Sequence, residues 1–128
     1  MMPAELEALA RRAVACKHWR WMPGMRYRVG SVLGRLTDNQ CKGKLPLVPD
    51  ALPDLSDPAT VGCLLALVRE AHDNRELVTA KYHELRGWTV CTHSFEYEIL
   101  PLFNPDEESG IFCDSEAAAL VEALEVAP

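Results

Sequence analysis

The run from Pro58 to Val68 holds no Asp, Glu, Lys or Arg over eleven residues, and it constrains the fold more than any other feature. Asp57 before it is a helix N-cap, and Pro58 suits the first helical position, where its missing N–H costs nothing. Ala59 to Val68 is then apolar almost all round, with Thr60 and Gly62 the exceptions. A helix without a polar face must be buried on more than one side. The spacing predicts a central helix ending near His72, where Asp73-Asn74 breaks it, with Leu64, Leu65 and Val68 nearly fully buried. The run is too short to span a bilayer. At 128 residues, with 48% apolar and 25% charged side chains, the chain is expected to form one domain, 1–128, around one core.

The other elements arrange themselves about this helix. Leu6, Leu9, Ala10, Ala13 and Val14 repeat at helical spacing, with Glu5 and Glu7 near the start and Arg11, Arg12 and Lys17 near the end, which predicts a helix over 3–17. Pro23-Gly24 is a turn signal, and Met25 to Val29 alternates apolar with basic residues as a half-buried strand does. Gly30-Ser31 reads as a turn, or as a bulge in a strand that continues through Val32 to Leu36. Asp38-Asn39 and Lys42-Gly43 mark a polar loop. Pro46, Pro49, Pro53 and Pro58 make the next segment an extended strap. Strands are expected over 77–84 and 88–93, joined about Arg86-Gly87, and at Phe95 to Ile99, stopping at Pro101. Ile111 to Cys113 reads as a short edge strand. Asp114 or Ser115 then caps a last helix whose face is Ala117, Leu120, Val121 and Leu124. The order α-β-β-α-β-β-β-α predicts an α+β fold, a mainly antiparallel sheet of about four or five strands packed with three helices.

Charge and cysteine usage narrow the function classes. The net charge of −6 argues against general nucleic-acid binding. Residues 1–44 carry nine basic and three acidic residues, whereas residues 45–128 carry four and sixteen. Either the halves attract each other across one fold, or the first presents a basic surface to an anion. Pro3, Glu5 and Glu7 are unlike a secretory leader, and five cysteines fit a reducing compartment, so a cytoplasmic setting is expected. Cys91-Thr92-His93 is the nearest approach to a metal motif, with Cys113 and His83 as conceivable further ligands, but buried cysteines serve equally as small apolar residues. The sequence has no Gly-rich phosphate loop, no nucleophile elbow and no HExxH. A Cys–His pair from Cys91 or Cys113 with His83 stays open. No cofactor, metal or catalytic residue is assigned.

Trp19, Arg20, Trp21, Arg26, Tyr27 and Arg28 form the candidate binding surface. Aromatic faces stack on bases or apolar groups, and guanidinium groups pair with phosphates and carboxylates. Arg26 and Arg28, two apart on a strand, are expected to point the same way and to bracket one anion. The same segment also reads as a core anchor, with the tryptophans buried at the helix–strand corner and the arginines snorkelling.

Three stretches, 8–25 (ALARRAVACKHWRWMPGM), 52–71 (LPDLSDPATVGCLLALVREA) and 115–128 (SEAAALVEALEVAP), resemble small proteins of tailed bacteriophages and prophages. The resemblance extends to the phage ABA-sandwich group, which implies helices on both faces of a sheet. It implies no established activity and carries over no functional residue. It implies an accessory protein of the host cytoplasm that binds a host protein or a small anionic, nucleotide-like ligand and counteracts host defence. An enzyme acting on a nucleotide or nucleic acid is the alternative, and a homodimer stays open.

Overall fold

The computed structural model describes residues 3–41, 49–83, 87–93, 99–101 and 113–128. The fold is α+β, and its described strands form two antiparallel three-stranded sheets instead of one larger sheet. Helix α1 (Pro3–Val14) leads into the hairpin β1 (Arg26–Val29) and β2 (Val32–Arg35). A one-turn helix α2 (Asp38–Cys41) and a short strand β3 (Leu52–Pro53) precede the middle helix α3 (Pro58–Ala71). Strands β4 (Val78–His83), β5 (Gly87–His93) and β6 (Ile99–Pro101) form the second sheet, and α4 (Glu116–Glu125) follows. No helix is long and apolar enough to cross a membrane.

Helix α3 starts as its sequence requires. Asp57 sits in extended geometry, and its carboxylate accepts from the Thr60 amide at 3.0 Å. Burial on this helix is more one-sided than its composition predicts. Thr60, Leu64, Leu67 and Val68 are buried, whereas Leu65 is only half-buried. These four lie at i, i+4, i+7 and i+8, one helical face, and Leu65 stands on its flank. Helix α4 shares the centre, with six of its ten residues buried, including the expected Ala117, Leu120, Val121 and Leu124. It packs against α1, α3, β4 and β5, so one core cluster joins Leu9 and Ala13 of α1 to Met25, Leu64, Val90 and Leu120.

Three other boundaries differ from expectation for local reasons. Helix α1 ends at Val14, not Lys17, because the Cys16 amide turns to the Ala13 carbonyl, an i→i+3 bond that tightens the last turn. Residues 38–41 form a helical turn instead of a loop. Thr37 and Gln40 supply a capping box: the Thr37 amide donates to Gln40 Oε1 at 2.9 Å, and the Gln40 amide lies 3.5 Å from Thr37 Oγ1. The proline-rich strap is annexed as β3, with Leu52 opposite Arg28 and Pro53 opposite Tyr27. Tyr27 also faces Gly34 of β2, so Pro53 occupies a position from which the ladder asks no N–H. Expectations at Lys42-Gly43, Pro46, Arg86, Phe95 to Glu98, and Ile111-Phe112 lie outside the described residues.

The second sheet depends on one close approach. Trp88 and Cys113 exchange two backbone hydrogen bonds, at 2.7 and 2.8 Å. A Cβ on Gly87, which also has φ of 86°, would run into the Cys113 carbonyl oxygen. Cys113 is thereby fixed ahead of the Ser115 cap of α4, whose side chain accepts from the Ala118 amide at 3.1 Å.

Candidate functional site

The expected basic–aromatic corner exists, but its members divide between packing and exposure. The Trp19 and Trp21 rings meet edge to face, with centroids 5.4 Å apart and planes at 82°. Both pack half-buried against the core. Trp19 Nε1 is buried without a hydrogen-bond partner. Edge-to-face stacking fixes the two rings on each other, so they anchor the corner and offer no free stacking face between them.

The arginines are held apart. Arg20 pairs with Glu70 of α3 at 2.6 Å. Arg26 Nε lies 3.7 Å from Asp54 Oδ2, beside the strap. Arg28 is exposed, and its Nε donates to the Gly30 carbonyl at the hairpin turn, 3.1 Å away. Arg26 and Arg28 do leave the same face of β1, but one side chain runs to the strap and the other to the turn, so they do not bracket one anion in this arrangement. Tyr27 lies on the opposite face, half-buried, with its ring over Gly34, where any Cβ would collide with it.

A residue outside the expected set takes a larger part. Arg35 opposes Arg26, and it grips Asp57 with two hydrogen bonds at 2.9 and 3.0 Å while also donating to the Gly24 carbonyl. Asp57 further accepts from Thr60 Oγ1, and Thr60 Oγ1 accepts the Arg26 amide at 2.8 Å. This network ties the hairpin base to the start of α3. Arg35, and with it the Thr60 hydroxyl, holds the Asp57 carboxyl far below the usual carboxylate range. The signal in the sequence was the cap itself, since a capping Asp has lone pairs left for a cation.

Four of the five ion pairs among the described residues join the basic first part of the chain to the acidic remainder: Arg12–Glu125, Arg20–Glu70, Arg26–Asp54 and Arg35–Asp57. The charge asymmetry is therefore answered in part within the fold. Arg28 is the one arginine of the corner without a carboxylate within ion-pair distance among the described residues. Around it the hairpin end is apolar and open. Leu33, directly opposite Arg28, is 46% exposed, and Val32 is 62% exposed.

The cysteines are free thiols. Burial pushes Cys16, Cys41, Cys63 and Cys91 above the usual thiol range. Cys113 is pushed to about 12 by burial and by donating to Glu122 Oε2 at 3.1 Å. A thiol so held stays protonated at neutral pH and is a poor nucleophile. His18 and His72 each contact a backbone carbonyl oxygen at 2.7 Å, of Pro128 and Ala123 respectively. His83 and His93 lie on β4 and β5, and their side chains fall outside the described set. Among the described residues, no group of three or more His, Cys, Asp and Glu is placed to hold a metal ion. Two open grooves of about 510 and 490 Å³ meet at Ser115, one beside the start of α3 and the other between α1 and Cys113, both away from the hairpin end. Compared with protein-family models, with curated proteins and with solved structures, the chain matches none.

Proposed function

We propose that this chain is a non-enzymatic binding protein that meets the anionic surface of another protein with the outer end of its β1–β2 hairpin. The supporting observation is the combination at that end: Arg28, which has no carboxylate partner among the described residues, stands opposite the exposed Leu33, with the exposed Val32 beside them at the turn. Isolated exposed leucines mean little, but an exposed leucine beside a guanidinium that no described carboxylate pairs, with an exposed valine on the other face of the same hairpin end, has the makeup of a protein-binding edge. A nucleotide is disfavoured because the tryptophans that would stack on a base are stacked on each other. Catalysis by a thiolate is disfavoured because the thiols are held protonated. The resemblance of residues 8–25, 52–71 and 115–128 to phage proteins supports an infected cell as the setting and a host protein as the partner.

Backbone-amide NMR with two kinds of probe tests this reading. Poly-L-glutamate is expected to shift the signals of residues 26–35, an effect that fades as salt is raised and is lost in Arg28→Glu. Tighter binding of ATP or a cyclic dinucleotide, with shifts centred elsewhere, would overturn it in favour of a nucleotide-directed protein.

A further inference from the structure

We infer that the outer edge of β2 accepts an added β-strand, and that the segment it takes is extended and acidic. The inference rests on the binding reading above and gives its mode.

In a hairpin closed by a two-residue turn, paired residues alternate between those that exchange hydrogen bonds and those that do not. Val29 and Val32 flank the Gly30-Ser31 turn, so the bonded pairs are Val29–Val32 and Tyr27–Gly34. The Leu36 amide continues this phase by donating to the Met25 carbonyl at 2.8 Å. The intervening pairs, Arg28–Leu33 and Arg26–Arg35, direct their backbone groups outward. On the β1 side those groups are used: the Arg26 amide donates to Thr60 Oγ1, and its carbonyl accepts the Asp54 amide. On the β2 side they are not. Among the described residues, no partner takes the backbone N–H or C=O of Leu33 or Arg35.

Natural sheets blunt such edges with short strands, charged side chains, proline, bulges or a covering element, and of these β2 has its four-residue length and Arg35, a charge that would favour an acidic strand. Val32-Leu33-Gly34-Arg35 has no proline and no lysine, and its pairing with β1 runs without a register shift. The Arg35–Asp57 pair also anchors the strand, so the edge is presented in one orientation.

The character of the occupant follows from the face above this edge. Cross-strand partners share a face, so Arg26, Arg28, Leu33 and Arg35 stand on the same one. An added strand would lie two spacings from β1, roughly 9–10 Å. A glutamate on it could reach over Leu33 to Arg28, which no carboxylate of the described residues pairs, while an apolar neighbour covers Val32 on the opposite face. A second copy of this chain is the poorer occupant, because antiparallel pairing of β2 with β2 would bring two copies of the same arginine-bearing face side by side, like charge beside like charge.

The test uses three eight-residue peptides and the whole protein. Acetyl-(Val-Glu)4-amide is expected to bind, to shift the Leu33 and Arg35 amide signals, and to slow hydrogen exchange at both by about tenfold or more. The same peptide N-methylated at alternate residues, in whichever of the two registers removes the edge-facing donors, is expected to bind about tenfold or more weakly. Acetyl-(Val-Lys)4-amide should leave the hairpin signals unmoved. Leu33→Pro removes an outward N–H without touching the ladder to β1 and should abolish binding. The N-methylated peptides keep the test decisive if that variant misfolds. Equal binding of both N-methylated registers, with shifts still at the hairpin, would overturn strand addition and leave the anionic-partner reading standing. Equal binding of the lysine peptide would overturn the acidic assignment. Failure of the glutamate peptide to move Leu33 and Arg35, where poly-L-glutamate still moves Arg28, would overturn only the strand mode. If neither moves the hairpin, both readings fall. Concentration-dependent dimerisation through Leu33 would overturn the acidic occupant in favour of a second copy.

Discussion

Asp57 is the residue on which most local structure converges. It caps α3, bonds the Thr60 amide and hydroxyl, and receives both hydrogen bonds of Arg35. Asp57→Ala removes a cap and leaves those donors unanswered, which should cost roughly 2–4 kcal/mol in chemical denaturation at pH 7. The charge has a separate signature. Its folded-state pKa is depressed, so its stabilisation is present above the unfolded-chain value of about 3.9 and is lost as pH falls through and below that value. Asp57→Asn keeps a good cap but not the charge, so its stability should fall less steeply than the wild type's as pH falls below about 4. Parallel acid limbs in the two proteins would contradict this. Cys113 gives a second residue-scale outcome. Its thiol should react more slowly with a thiol reagent at pH 8 than the similarly half-buried Cys16, Cys41 and Cys63, while the unfolded, unreduced chain should show all five thiols.

At the scale of elements, α3 separates composition from position. Leu64 is fully buried and Leu65 is not, although they are neighbours of the same type. Leu64→Ala should cost about 2–5 kcal/mol, and Leu65→Ala should cost clearly less. Denaturation midpoints that fall equally in the two variants would mean that the helix is covered on both flanks. The hairpin behaves differently, being anchored at its base by Met25, Leu36 and the Arg35–Asp57 pair and exposed at its end. Val32→Ser or Leu33→Ser should therefore alter binding and leave the unfolding free energy nearly unchanged, within about 0.5 kcal/mol.

Across the whole molecule, α4 is the piece that makes one body of two sheets. It packs on β4 and β5, on α1 and on α3, whose first turn holds the hairpin base. Leu120 is fully buried within it. Leu120→Ala should lower the hydrogen-exchange protection of β1 and β5 together, in one cooperative transition. Loss confined to β5 would show that the hairpin sheet holds independently. Raised salt should have little effect on the fold, because the pairs that join the basic and acidic parts of the chain are mostly solvent-exposed and worth little individually.

The α+β class, the Asp57 cap and the α3 and α4 spans were legible in the sequence, which narrowed the α4 cap to Asp114 or Ser115 and Gly30-Ser31 to a hairpin turn or a bulge. They rest on local signals: caps, period-2 and period-3.6 patterning, and turn residues. The helical turn at Asp38–Cys41 was not read, because residue type suggests a polar loop there and the reciprocal Thr37–Gln40 bonds show only in the structure. Three things needed the tertiary structure. Division of the strands into two sheets depends on which edges meet, and the conversion of Leu52-Pro53 into a strand depends on β1 lying alongside it. Which of Leu64 and Leu65 is buried depends on where α1 and α4 dock, since an all-apolar helix carries no mark of its inner face. The fate of the arginines was the least legible, because a guanidinium is spoken for only when a carboxylate arrives from far along the chain. Glu70, Asp54 and Asp57 reach Arg20, Arg26 and Arg35 in that way, and among the described residues Arg28 has only the carbonyl of its own turn.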